Sequence, residues 1–515
     1  MFGRLLSVGG YTLLSRIAGF VRDVLMAAIL GAGPASDAFL VAFRLPNNFR
    51  AIFAEGAFNL AFLPRFTQVH TREGAEAAAR FADRVFSWQM AAQLVLLLAA
   101  LLAMPWIVRI FAPGFADNPG QMALAVELSR IAFPYLIAIT VVTQLSAMLN
   151  AIGRFKAAAA APIFLNIAMI TTLLLAWLFP TAAHAAAWGV FGAGILQLLF
   201  MVWMAAKSGL TLRIARPRWT RDVREFMGAL GAATFGSASV QIGLFVDTLI
   251  ASFLPSGDLT ALYYADRINQ LPMGTLGIAL GTVLLPEMAA RLAGGDRKAA
   301  DHAQNRAAAL GLFLTLPFVA AFFAVPDQIM RGLFAHGAFH LEAAAVSADA
   351  LMAYGIGLPA FVLIRCVAPT FYARGDTATP VRATIASVAV NIALKFALVW
   401  GFHFGAVGIA LGTAIAAWVN VGLLVAMASR RDLLSIDAGF WRALPVSLLA
   451  AVLTGLCAWA GAAAAAHMFG STGALADALV LGAAVLGGAI AYAAVTWLFR
   501  DRLPLGRFAV KRLPA

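Results

Sequence analysis

Apolar runs of about twenty residues or more, broken by short polar segments, cover nearly the whole chain. Wound as a helix, a run of that length matches the hydrocarbon thickness of a bilayer. The pattern predicts fourteen helical spans, at roughly 7–30, 36–64, 84–111, 122–150, 158–179, 185–206, 225–253, 258–288, 307–325, 343–371, 380–401, 404–427, 443–467 and 476–499. The connecting segments are short, and none predicts a soluble domain. The predicted class is an all-α integral membrane protein.

Composition leaves no soluble alternative. Of the 515 residues, 62% are hydrophobic and 12% charged, with a mean hydropathy of +0.87. Soluble domains carry about 25% charged residues. A soluble fold could not hide this much apolar surface, so the bilayer must be the solvent for most of it. The formal net charge of +13 would suggest nucleic acid in a soluble protein. Here the basic residues fall between the apolar runs, which makes them a topology signal and argues against a nucleic-acid partner.

With the N-terminus inside, the inner loops and termini hold 27 of the 37 lysines and arginines, and the outer loops hold only Arg331. An even number of spans then returns the basic tail FRDRLPLGRFAVKRLPA to the inner side, so both termini are expected in the cytoplasm. The N-terminal stretch MFGRLLSVGGYTLLSRIAGFVRD carries Arg16 and Arg22 inside its apolar run and is not expected to be a cleaved signal. Cys366 and Cys457 both lie in apolar segments and suggest neither a disulfide nor a thiol metal site.

An internal repeat underlies the spans. Leu63-Pro64 returns as Leu285-Pro286 and Gly153 as Gly375, both at a spacing of 222. Phe133-Pro134 matches Leu358-Pro359, and Asn166-Ile167-Ala168 matches Asn391-Ile392-Ala393, both at 225. Spans 1–6 and 7–12 therefore read as two copies. Because six is even, both copies enter the membrane in the same direction, which makes them parallel repeats. The expected organisation is an N-terminal lobe over 1–222, a C-terminal lobe over 223–430, and spans 13 and 14 with the basic tail over 431–515.

The nine remaining basic residues lie inside spans: Arg16, Arg22, Arg44, Arg50, Arg109, Arg130, Arg267, Arg365 and Lys395. Arg109 and Arg130 can be read as snorkelling to the interface. Arg16, Arg22, Arg44 and Arg50 come from two consecutive spans and sit too deep for that. A central arginine costs about 2.5–3.5 kcal/mol on insertion scales, so these four must face a wet cavity or pair with acids. Asp23 adjoins Arg22, while Asp37, Arg44 and Glu55 fall on one helical face, kinked at Pro46. One reading is a salt-bridge network internal to the first lobe. The other is a cationic cavity, because arginine's permanently charged planar fork suits phosphate. Ala42-Phe43-Arg44 matches Ala265-Asp266-Arg267 at a spacing of 223, which supplies an arginine from the second copy.

The second copy has its own polar set: Asp247 in span 7, Asn391 and Lys395 one turn apart in span 11, and Thr413 in span 12. These residues predict either an Asp247–Lys395 ion pair or a site for a coupling cation or proton. The chain has no phosphate-binding G-x-x-x-x-G-K loop, no H-E-x-x-H and no recognisable nucleophile pattern. His336 and His340, spaced i, i+4, lie in an outer loop without convincing acidic partners. An exporter of drug cations would favour an acidic cavity. An enzyme acting on polyprenyl phosphates would need clustered acids for a metal. A scaffold would not explain the cost of the buried arginines.

SRIAGFVRD at 15–23, SDAFLVAFRLPNNFRAIFAEGAF at 36–58, APGFAD at 112–117, YYADR at 263–267, ALGTVLLP at 279–286 and YARGDTATPV at 372–381 together resemble the lipid II flippase (MurJ/MviN) family of the multidrug/oligosaccharidyl-lipid/polysaccharide exporter superfamily. The resemblance runs over nearly the whole chain. It implies a carrier in the bacterial cytoplasmic membrane that moves the lipid-linked peptidoglycan precursor, undecaprenyl diphosphate bearing a disaccharide pentapeptide, from the inner to the outer leaflet for cell wall synthesis. It implies substrate-binding roles for Arg16, Arg22, Arg50 and Arg267, with Asp37 and Glu55 as acidic partners, and Arg44 joins that set on the reading above. It implies a groove for the polyprenyl tail at spans 13 and 14. It also implies a candidate sodium site at Asp247, Asn391 and Thr413, where Lys395 takes the place of an expected second acid. No cofactor or metal is implied. Coupling to membrane potential, proton or sodium, and contact with membrane lipids and other wall-synthesis proteins, are further expectations.

Overall fold

Helix is the only regular structure among the residues that the computed structural model describes, 2–51, 57–274, 278–470 and 473–503. The chain divides into two compact units. Unit 1 comprises residues 1–260 together with 337–339, and unit 2 comprises 261–336 and 340–515.

Unit 1 contains α1 (Phe2–Leu30), α2 (Pro34–Arg50), α3 (Ala57–Glu73), α4 (Ala75–Phe111), α5 (Pro119–Ala132), α6 (Tyr135–Ala151), α7 (Phe155–Leu174), α8 (Ala182–Ala206) and α9 (Arg221–Ala251). In chain order α9 opens the second copy of the repeat. By packing it belongs with α3 and α4. Arg65 on α3 reaches Asp222 at 2.5 Å and Glu225 at 2.8 Å on α9. Phe58, Phe62 and Phe81 surround the fully buried ring of Phe226, with centroids 5.6–6.4 Å away. Offset and edge-on ring pairs of this kind add to the stabilisation from area burial alone.

Unit 2 holds most of α10 (Asp258–Pro272), then α11 (Ile278–Ala293), α12 (Arg297–Ala324), α13 (Pro326–Phe334), α14 (Leu341–Val367), α15 (Pro369–Tyr372), α16 (Ala378–Phe396), α17 (Gly405–Arg430), α18 (Ala438–Phe469) and α19 (Ala474–Leu498). α18 and α19, the expected appendix to the repeat, pack on each other and α18 packs on α12.

Ten elements among the described residues are long and apolar enough to cross a membrane. The other four expected spans are α1, α2–α3, α9 and α10–α11, the first two of each copy. These carry Arg16, Arg22, Arg44, Arg50, Asp247 and Arg267. Charges that lower the hydropathy of a span are the same charges that the bilayer would reject on a lipid-facing surface. Residues 52–56 of span 2 and 275–277 of span 8 lie outside the described residues. The expected span 122–150 is two helices, α5 and α6, meeting at Phe133-Pro134. The matching Pro359 is carried inside the continuous α14.

The repeat is visible in backbone detail. Gly153 and Gly375 both have positive φ, 76° and 78°. After each, the chain closes its helix in the same way. Gly153 N–H donates to the Asn150 carbonyl at 3.0 Å and Arg154 N–H to that of Leu149 at 2.9 Å. Gly375 N–H donates to Tyr372 and Asp376 N–H to Phe371, both at 3.0 Å. These are paired left-handed C-caps of the kind that favours glycine. A Cβ on Gly375 would meet nothing within 4 Å, so Gly375→Ala should cost only the backbone term, about 1 kcal/mol. A lowered thermal midpoint with unchanged membrane levels would check this. Next to that turn, hydrogen bonds from the Thr379 hydroxyl and amide, and then Arg431, hold the Asp376 carboxyl down at about 2. A depressed carboxyl stabilises the fold above its ordinary range and loses that contribution only as pH falls through about 2. This turn should therefore be indifferent to pH under physiological conditions.

Candidate functional site

Arg22 is the most fully built of the intramembrane cations. It is 6% exposed. Its Nη2 and Nε donate to Asp23 Oδ1 at 2.7 and 3.1 Å, and its Nη1 donates to Asn166 Oδ1 at 3.0 Å. Its guanidinium carbon lies 5.8 Å from the centroid of the Phe43 ring. Asn166 is itself anchored, donating from Nδ2 to the Ser15 carbonyl at 2.9 Å. Asn166 belongs to the repeated Asn-Ile-Ala triplet, and that recurrence was the available sign that it does more than fill space. Arg16, on the same helix, is exposed.

Of the predicted Asp37–Arg44–Glu55 face, Asp37 and Arg44 hydrogen-bond to different partners. The Asp37 carboxylate is 2% exposed and is directed to the start of α10. Oδ2 accepts from Gly257 N–H at 2.7 Å, and Oδ1 accepts from Thr260 N–H at 3.0 Å and from the Thr260 hydroxyl at 2.6 Å. Asp37 thus caps, within unit 1, the start of another helix, satisfying amides that have no partner inside their own helix. In the same unit, Ala338 N–H donates to the Ala28 carbonyl at 2.8 Å, and a Cβ on Gly31 would clash with the Ala338 carbonyl oxygen. Arg44, half-buried, donates from Nη1 to the Thr248 hydroxyl on α9 at 2.9 Å. Glu55 lies outside the described residues.

Arg50 lines a cavity of about 250 Å3 within unit 1 whose wall carries Asn59, Thr143, Ser146, Asn150 and Gln197. That wall offers amides and hydroxyls, which suit oxygen-rich groups. In unit 2, Arg267 donates from Nη2 to the Tyr263 hydroxyl at 2.9 Å and lies 4.6 Å from that ring's centroid.

A model of the family described as "Lipid II flippase MurJ" matches residues 26–481. The chain belongs to this family. A probable lipid II flippase MurJ of Rhizobium meliloti (strain 1021) is 45% identical over 427 residues, 82% of this chain and 79% of that protein. A lipid II flippase MurJ of Burkholderia cenocepacia is 33% identical over 469 residues, 89% of this chain and 90% of that protein. Among solved structures, a lipid II flippase MurJ in an inward closed conformation aligns with a TM-score of 0.77 at 24% identity, covering 96% of this chain and 99% of that one. An inward-facing multidrug resistance transporter of the MATE family aligns with a TM-score of 0.68 at 16% identity, covering 83% and 97%. Both likenesses speak to the fold.

The remaining residues singled out for this MurJ family member fall as follows. Asp247, half-buried, is on α9 in unit 1. Asn391, Lys395 and Thr413 are in unit 2, on the neighbouring helices α16 and α17. Lys395 is 1% exposed, and its stem lies against Gly412, where an added Cβ would come within 2.6 Å of Lys395 Cγ. Asn391 Oδ1 is buried with no hydrogen-bond partner among the described residues. Thr413 turns its hydroxyl back to the Ile409 carbonyl at 3.2 Å. Unit 2 also has an apolar groove of about 540 Å3, lined by Leu271, Phe318 and Phe322 together with Thr454 and Ala458 of α18 and Leu481 and Val485 of α19.

Proposed function

We propose that this multi-pass membrane transporter carries lipid II from the inner to the outer leaflet of the bacterial cytoplasmic membrane, by exposing its arginines alternately to the two sides. The observation that carries the reading is Arg22, a guanidinium kept deep in the fold by an acid, an amide and a ring. Burying such a charge is costly, so its presence points to a functional site. A diphosphate is the natural guest for several arginines, because each planar fork can donate two charge-assisted hydrogen bonds to it. Arg16, Arg22, Arg44, Arg50 and Arg267 are the proposed headgroup ligands. The groove beside α18 and α19 suits a polyprenyl chain, since its lining is almost wholly apolar. Both termini are proposed to be cytoplasmic, and wall-synthesis enzymes that supply and consume lipid II are proposed partners.

Flipping breaks no bond, so chemistry supplies no energy. Moving one negative charge outward, down the gradient of an inside-negative potential, gains about 2.3 kcal/mol per 100 mV. The unloaded carrier returns with its positive charges, so the gain depends on the charge moved over a full cycle. Lys395 is proposed to supply, from within the chain, the positive charge that a coupling cation would bring. Replacing sodium in the medium with potassium should then leave transport within about twofold, a difference under 0.5 kcal/mol. A tenfold fall would restore sodium coupling to the scheme. The function itself is tested by leaflet-specific labelling of lipid II in cells depleted of the protein. Accumulation on the inner leaflet is expected, and an unchanged distribution would remove the proposal.

The drug-exporter reading shares the fold. It is disfavoured by the excess of arginine over acid in α1 and α2, because cationic drugs call for the opposite charge.

A further inference from the structure

Unit 1 presents a second pair of intramembrane arginines, remote in sequence from the first. Leu102, Trp106 and Ile110 on α4 and Trp188, Ile195 and Leu199 on α8 are large, apolar and exposed. In a membrane protein such surfaces face acyl chains. Trp106 and Trp188, with Trp177 just before α8, gather toward one end of these helices, the arrangement that marks a membrane interface. Between α4, α5 and α8 lies a groove of about 1090 Å3, walled by Pro105, Ile131, Pro134 and Phe191 and carrying Arg109, Glu127 and Arg130.

The charges in this groove do not cancel. The Glu127 carboxylate lies 3.2 Å from His184 Nε2. Arg130 Nε donates to the Leu101 carbonyl at 3.3 Å, a neutral partner. Arg109 has no hydrogen-bond or ion-pair partner among the described residues. Arg109 is close to the end of α4 and can reach the headgroup layer by extending its side chain. Arg130 is about three turns into α5, and its Leu101 partner is roughly 15 Å from the end of α4. Arg130 is exposed on this acyl-facing surface, where a charge at that depth is favoured by an anionic partner.

We propose that this groove is a binding site for an anionic phospholipid of the bilayer, with its phosphate diester held between Arg109 and Arg130 and its acyl chains along Pro105, Ile131, Pro134 and Phe191. On the orientation given by the lysine and arginine bias, the lipid belongs to the outer leaflet. A zwitterionic headgroup would place a cation beside two guanidiniums, which disfavours it against a headgroup such as glycerol. The site shares no residue with the Arg22 set, so it is separable from substrate binding.

The test uses the full-length protein purified in detergent. Phosphatidylglycerol is expected to raise its thermal midpoint by several degrees more than phosphatidylcholine or phosphatidylethanolamine. In Arg109→Gln/Arg130→Gln that difference should vanish, and lipid adducts seen by native mass spectrometry should need about tenfold more phosphatidylglycerol. Arg154→Gln, at the opposite end of the unit 1 helices, should respond as wild type. Should the double variant not fold, Arg109→Gln alone, which removes no partner from the protein, must lose at least half of the phosphatidylglycerol-specific rise. The proposal is overturned if the arginine variants keep the full rise, if the zwitterionic lipids match phosphatidylglycerol, or if inorganic phosphate reproduces the effect.

Discussion

Arg22→Lys is expected to leave the protein in the membrane at near wild-type levels and to lose complementation of a flippase-depleted strain. Lysine keeps the positive charge beside Asp23, so no carboxylate is left buried beside a neutral side chain. It loses the fork that reaches Asp23 and Asn166 together. Arg22→Ala is a harsher change. It withdraws the guanidinium from an Asp23 that is 4% exposed, and breaking a buried pair from one side costs about 3–5 kcal/mol. Lower membrane levels are therefore expected for Arg22→Ala, with loss of activity that says little about transport. The decisive contrast is with Asn166→Ala, which removes no charge and leaves Arg22 mispositioned. It should keep the fold and reduce transport roughly ten- to a hundredfold, the equivalent of about 1.5–3 kcal/mol for one charged hydrogen bond. Growth titrated against expression level, with membrane levels from a tagged protein, measures both quantities. Full complementation by Arg22→Lys at wild-type expression would rule out phosphate recognition by a fork at this position.

That Asn166 enters this prediction at all shows where sequence reasoning ended. The spans and the repeat were legible because they rest on local periodicity and on spacing, which a chain carries openly. Gly153 and Gly375 show how deep the legibility went: the matched spacing anticipated matched turns. The excess of arginine in the first two spans was legible for the same reason, since burial cost depends on residue type alone. The partners were not. Asp23 could be paired with Arg22 because they are adjacent. Asn166 is 144 positions away from Arg22, and an asparagine carries no charge to flag it. Helical geometry places Asp37 on the face of Arg44 and says nothing of the amides its carboxylate accepts from. The Gly31 turn and Pro34 start a new helix just before Asp37, and there the nearest unsatisfied donors are the amides of a helix over two hundred positions away. Helical-wheel arguments rank neighbours on one helix. They are silent on which other helix end is brought alongside.

Asp37→Ala is expected to be among the most damaging single changes in the protein. It removes the acceptor for three buried donors, the Gly257 and Thr260 amides and the Thr260 hydroxyl. An unmet buried donor costs about 1–3 kcal/mol, so a loss of roughly 3 kcal/mol or more is expected, read as a thermal midpoint lowered by several degrees. Thr260→Val removes the hydroxyl contacts to Asp37 and Ser36 but keeps both amide bonds to Asp37, and should cost about 1 kcal/mol. Asp37→Asn should fall between them, because one oxygen becomes an amide that points a donor at a donor. The cap can also be separated from a role for Asp37 in balancing Arg44. If the carboxylate served the arginine, Arg44→Gln would relieve the uncompensated charge and partly rescue Asp37→Ala. If it serves the α10 amides, the two changes act through different partners, Arg44 through Thr248 and Asp37 through residues 257–260, and their effects should add to within about 0.5 kcal/mol. A rescue larger than that would return Asp37 to the cationic site.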